Sequence, residues 1–185
     1  MKISIHQANF CPWFPFFYKM AMSDVFIILK EVQFEKNNYQ NRYFLNTKDK
    51  WVTKSVKSGN CSIGEKKYTD GKNLFWLNMN WIHCIKETLN IDTRIEFDYP
   101  TELTKTERLI DLIKYYGGTT YITCPEAKDK YLDEDLMRAN GIEIEYYHVP
   151  KNLKKHVFEL FEELGIDGTI KQLPVRKNEI ITSVF

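Results

Sequence analysis

The chain has 185 residues, of which 43% are hydrophobic and 28% charged. These are the proportions of a folded protein of one-domain size that needs neither a disulfide nor a metal to hold it. Its 26 basic and 25 acidic side chains leave a formal net charge of +1, which excludes the strong positive field of a general nucleic-acid binder or of a protein drawn to anionic membranes.

No apolar run approaches the roughly 20 residues of a membrane span, and the chain enters its first strand without a leader-like segment. The four cysteines, Cys11, Cys61, Cys84 and Cys124, have no paired or metal-ligand spacing. Together these features predict a cytoplasmic protein with reduced thiols, no metal and no cofactor.

A short strand is predicted over residues 2–5. A helix opened by Pro12 and Pro15 follows, running to about residue 22. Residues 24–29, DVFIIL, are nearly all apolar, as in a strand buried on both faces. Strand, crossover helix and strand predict a parallel pair. Residues 42–57 alternate like a hairpin, with its turn at residues 48–50. The polar, glycine-containing stretch 58–73 reads as a surface loop.

A helix is expected over residues 73–89 and a strand over 94–97. Thr104-Lys105-Thr106-Glu107 has the spacing of a capping box and opens a helix with Leu109, Leu112, Ile113 and Tyr116 on one face. Gly117-Gly118 stops it. A strand at 119–123, a short helix at 133–139 stopped by Asn140-Gly141, and a strand at 142–147 come next. Val157, Leu160, Phe161 and Leu164 mark a last helix closed by Gly165, and residues from 171 onward carry no assignment. The alternation predicts an α/β fold: a single domain over residues 1–185, with a mostly parallel sheet flanked by helices and a small antiparallel hairpin.

The chemistry concentrates at strand ends. His6 stands where the first strand stops, which is where open α/β sheets bind ligands. It is a candidate acid/base, against the alternative of a core histidine bonded to backbone. Gln33, Lys36, Asn41 and Arg42 follow the second strand and offer amide and cationic donors suited to sugar hydroxyls and phosphates. Lys36 would equally suit a solvated turn. Lys105 and Arg108 lie in the first turn of a helix, where anions bind, although the capping box accounts for that sequence without a ligand. Trp13, Tyr121 and Tyr131 are candidates to line the same cleft, and the aromatic run 13–18 could instead face a second copy of the chain. Cys11 near His6 lacks a third orienting residue and reads as a core thiol. His83 and Glu87 lie four apart on a helix with no third ligand, so no zinc site is read.

The run His6-Gln7-Ala8-Asn9-Phe10-Cys11-Pro12-Trp13-Phe14-Pro15-Phe16-Phe17 resembles the opening motif of the WbqC-like family, H-Q-P-x-Y-x-P-W-x-x-Y-F. Val32-Gln33-Phe34-Glu35-Lys36 with Asn41-Arg42 resembles its second motif. Lys105-Thr106-Glu107-Arg108-Leu109, Thr120-Tyr121 and Tyr131-Leu132-Asp133 resemble a third block. The likeness covers most of residues 1–147. Ala8 stands for the motif proline, Phe10 and Phe17 for tyrosines, and Lys30-Glu31 for an acidic pair, so the chain reads as a divergent and shortened member.

The resemblance implies an enzyme of bacterial surface-polysaccharide assembly. It would be a transferase acting on a nucleotide-linked amino sugar, by acyl or aminoacyl transfer. His6 would be catalytic, with Gln7, Asn9, Trp13, Gln33, Lys36, Asn41, Arg42, Lys105, Arg108, Tyr121 and Tyr131 holding the small-molecule substrate in one hollow. A non-catalytic ligand-binding or dimerising protein and a nucleotidyltransferase-like enzyme are the alternatives. A homo-oligomer is compatible with each.

Overall fold

The second strand predicted from DVFIIL is the most deeply buried of the sheet. Val25, Phe26, Ile27 and Ile28 are all at most 1% exposed. In the computed structural model, which describes residues 1–68 and 70–174, this strand β2 (Val25–Leu29) pairs in parallel with β1 (Lys2–Gln7) over five residues, Ile3↔Val25 to Gln7↔Leu29. On its other side it pairs with β5 (Arg94–Phe97). β1 meets β6 (Thr120–Thr123), which meets β7 (Glu143–Tyr146). The result is a parallel five-stranded sheet of order β5-β2-β1-β6-β7. The expected hairpin is β3 (Arg42–Leu45) and β4 (Lys50–Thr53), which form a separate antiparallel pair. A single helical turn over Asn46–Lys48 joins them, and left-handed Asp49 closes it.

Alternate residues of β2 serve two cores, as the twofold period of a strand demands. Phe26 and Ile28 pack with α1 (Phe14–Ala21), α2 (Leu74–Thr88) and α5 (Val157–Ile170). Val25 and Ile27, with Ile3 and Ile5 of β1, pack against α3 (Lys105–Tyr115) and α4 (Glu134–Ala139). Helices therefore cover both faces, as parallel sheets require. α1 ends at Met22, and α2 is capped by Asn73, whose side chain accepts from the backbone N–H of Trp76. The two glycines after α3 have separate tasks. Gly117 takes φ +73°, while a Cβ on Gly118 would sit 2.5 Å from Ile3 Cδ1, so only glycine lets the turn approach β1.

Three local expectations are corrected. The stretch 58–73 is not merely a surface loop. Ile63 is fully buried and Tyr68 is 6% exposed, because the segment pairs its backbone with residues 30–34 (Ile63 N to Val32 O, Phe34 N to Cys61 O) and so has an apolar side to bury. Thr104 does not cap α3 through its side chain. Instead the Thr106 hydroxyl donates to Tyr131 O and accepts from Asp133 N, and Lys105 takes φ +48° to turn the chain into the helix. A capping box forms elsewhere, between His156 and Glu159 at the start of α5. Gly165 (φ 70°) breaks α5 as expected, but helix resumes beyond it to Ile170. The unassigned tail lies outside the described residues from 175 onward.

Asn78, fully buried on α2, fastens the loops after β1 and β2. Its Nδ2 donates to Ala8 O and Gln40 O, both at 2.8 Å. Asn78→Ala removes the donor shared by two carbonyls in the interior and should cost about 2–3 kcal/mol. Urea unfolding is expected to show a lower midpoint at unchanged slope.

Candidate functional site

β1 keeps company with its two neighbours for unequal lengths. Against β2 it is paired to Gln7, but against β6 only through Lys2↔Thr120 and Ile3↔Tyr121. Beyond that point side chains continue the seam. Ser4 Oγ donates to Ile122 O at 3.3 Å, and Lys19 Nζ donates to Ile5 O at 2.8 Å. The strand order also reverses here, since β2 and β5 lie on one side of β1 and β6 and β7 on the other. Such a reversal leaves a crevice at the carboxyl ends of the strands, and a cavity of about 460 Å³ occupies it.

His6 lines this cavity from the end of β1. Its Nδ1 lies 3.0 Å from Gln7 O. A carbonyl only accepts, so Nδ1 carries the proton and Nε2 keeps its lone pair. Burial, then the neighbouring Lys19 charge, pushes the imidazole down to about 4, against the pull of the Gln7 bond. It is therefore neutral at pH 7, with the Nε2 lone pair unprotonated. The Phe16 ring meets it edge-on at 5.0 Å between centroids.

Lys19 is the residue that sequence reasoning missed. It lies on α1, is 4% exposed and lines the cavity. Burial pushes its amine down to about 8. The signal was one cation inside FPFFYKMA, a helix whose every other neighbour there is apolar or aromatic. Lysine is almost never fully buried without a reason.

Opposite, Tyr121 is 1% exposed and shares hydrogen bonds with Thr123 and Tyr131. Burial raises its phenol well above the ordinary value, so it stays protonated. Tyr131, Lys105 and Arg108 stand at the mouth. Arg108 pairs with Asp98, which also accepts from the backbone N–H groups of Lys30 and Glu31. Arg108 Nε has no hydrogen-bond partner among the described residues. The cavity thus has apolar walls, a neutral base, a buried amine and two cations at its rim.

The structure brings His6, Gln7, Lys105, Arg108, Tyr121 and Tyr131 to this crevice. It does not bring the others. Asn9 and Trp13 line a second cavity of about 270 Å³. Arg42 lines neither cavity; its guanidinium lies over the ring of Trp51, 4.0 Å from the centroid. Asn41 is 2% exposed and spends its amide N–H on Lys54 O at 3.1 Å, fastening the hairpin. Gln33 and Lys36 are exposed on the loop after β2. The single hollow expected from the sequence is therefore two, because residues 9–13 line a cavity with the hairpin while His6 lines the crevice with Tyr121 and Thr123 of β6. Gln7, in the crevice, is also tied to the loop after β2. Its Oε1 accepts from buried Gln40 at 3.0 Å, and Gln40 in turn accepts from Glu35 N at 2.8 Å.

Cys11 is buried in the second cavity, and burial pushes its thiol up to about 12. It is the Cys11 carbonyl, not the sulfur, that meets His156 Nε2, at 3.0 Å. All four cysteines are free. Among the described residues no cluster of three or more His, Cys, Asp or Glu could hold a metal, His83 and Glu87 included, and no helix is long and apolar enough to cross a membrane.

The chain matches the WbqC-like protein family over residues 7–70 and 62–163. It belongs to this family. The uncharacterized protein Rv1507c of Mycobacterium tuberculosis (strain ATCC 25618 / H37Rv) is 26% identical over 192 residues, an alignment covering 79% of this chain and 81% of that protein. No solved structure matches the chain. The WbqC-like match takes in every described residue lining either cavity except Ile5 and His6.

The two perturbed bases each contribute to the pH response. In the unfolded chain His6 takes its proton near 6.5 but in the folded chain only near 4, so the unfolded state binds more protons between them and stability falls as pH drops through that window. Lys19 holds its proton to 10.5 unfolded but only to about 8 folded, so stability rises with pH from 8 to 10.5. Above pH 9 the raised Cys11 thiol lowers stability in turn, so the Lys19 limb is read from the difference between wild-type and variant denaturation midpoints. The alkaline rise is expected to vanish in Lys19→Met and the acid fall to flatten in His6→Gln.

Proposed function

We propose that this WbqC-like protein is a transferase of surface-polysaccharide assembly that adds an acyl or aminoacyl group to a nucleotide-linked amino sugar. The setting comes from the family resemblance. The chemistry is supported by one observation above the rest: a neutral imidazole and a buried amine meet in one crevice, beneath two rim cations.

In this reading the sugar amine attacks the acyl carbon of an activated donor. The C–N bond forms, the amine proton passes to His6 Nε2, and the bond to the leaving group breaks as that group takes the proton back. Lys19, mostly cationic at pH 7, donates to the oxygen on which charge gathers, from a buried position where such a bond counts for more than in water. Lys105 and Arg108 face the anionic part of the substrate, while Tyr121 and Tyr131 bound its sugar.

His6→Ala is expected to lower turnover about 10²–10⁴-fold with the urea midpoint retained. Lys105→Ala should raise KM with little change in kcat. A nucleotide-linked amino sugar at a hundredfold excess over Kd should stabilise the fold by about 2.7 kcal/mol in a thermal-shift titration. Stabilisation by nucleoside triphosphate with magnesium, and not by the sugar, would instead favour nucleotidyl transfer. A chain that binds the sugar but transfers nothing from any acyl donor would be a binding protein.

A further inference from the structure

The second cavity takes no part in the chemistry above. Residues 9–13, the β3–β4 hairpin and the start of α5 enclose it, and Trp13, Tyr39, Tyr43, Phe44 and Trp51 line it. Trp13 and Tyr39 stack at 6.3 Å between centroids and 18° between planes, and Tyr39 continues to Trp51 at 5.6 Å. These three rings are 36%, 41% and 42% exposed. A contiguous aromatic face left in water marks a place where something binds.

Asn9, which lines the same cavity, is 4% exposed, and its Oδ1 has no hydrogen-bond partner among the described residues. A buried acceptor without a donor is unfavourable until one arrives. The other buried polar group in the lining is already committed, since His156 Nε2 is bonded to Cys11 O.

The charges narrow the ligand. No acidic side chain is among the described residues lining the cavity, and Lys154 stands exposed at its edge. The Arg42 guanidinium already covers Trp51 at 4.0 Å. A cationic ligand would meet the like charge of Lys154 with no carboxylate in the lining to balance it. A flat, neutral ring bearing an N–H donor, with an anionic group attached, matches every one of these features. A nucleobase stacks on aromatic side chains whatever its identity, and each of the common bases carries an N–H that Asn9 Oδ1 can accept.

We infer that this cavity is a nucleotide subsite, with the base against Tyr39 and Trp51, a base N–H on Asn9 Oδ1, and the phosphate at Lys154. Its residues do not line the crevice, so it stands or falls separately from the transferase reading. The full chain is titrated with AMP, GMP, CMP and UMP, with ribose 5-phosphate as the baseless control, reading tryptophan fluorescence and calorimetric stoichiometry. At least one nucleotide is expected to bind one per chain and quench the tryptophans, while ribose 5-phosphate does neither. Asn9→Ala should weaken that nucleotide about tenfold, and Trp51→Leu should do the same. Arg138→Ala, exposed on α4 and lining neither cavity, should leave the affinity unchanged. Trp13→Leu, at an exposed position, serves where Asn9→Ala does not fold, and should also weaken binding. The inference is overturned if no nucleotide binds at millimolar concentration, if ribose 5-phosphate binds equally well, or if Lys105→Ala abolishes binding while the Asn9 and tryptophan variants keep it.

Discussion

The early parting of β1 from β6 is the constraint on which the candidate site rests. A parallel sheet satisfies its backbone by pairing, and a strand that loses its neighbour must find other donors or face water. Here β6 pairs with only two residues of β1, while β2 pairs with five. The gap is not left raw. Ser4 and Lys19 supply side-chain bonds where the ladder has ended. Those substitutions make the crevice both stable and chemically loaded, because one of the groups that completes the seam is an ammonium. The same burial that holds Lys19 against Ile5 O lowers its hold on a proton, and its charge helps keep His6 neutral.

Much of the fold was legible because it is written in local periods. DVFIIL could only be a strand buried on both faces, and Gly117-Gly118 and Asn140-Gly141 could only end helices. The readings that went astray needed partners distant in sequence. The Thr104–Glu107 spacing fits a capping box, but the Thr106 hydroxyl is recruited by residues 131 and 133. Residues 58–73 look like a polar loop until Val32 and Phe34 lend them a backbone edge.

The candidate site was legible in type more than in place. A histidine at a strand end and cations on a helix's first turn do meet in the crevice. Trp13 follows the same sequence logic, yet it lines another cavity because the chain turns away after Gln7, and Arg42 lines neither, its guanidinium lying over Trp51. Lys19 was hidden by its company: within a run of aromatics, a lone lysine looks like the solvated edge of a core helix. Only the packing of α1 on all sides shows that it has no solvated edge to occupy.

Gln40 ties the crevice residue Gln7 to the loop after β2. Its Oε1 accepts from Glu35 N, and its Nε2 donates to Gln7 Oε1 and to Gln33 O. Each end of the amide has one role, so the group has a single orientation and cannot flip without facing oxygen to oxygen. Chemical ageing of this one side chain to a carboxylate would change its shape hardly at all, yet it would replace two attractions with two repulsions. The hold of that loop on the end of β1 is thus kept by the identity of one nitrogen atom rather than by bulk.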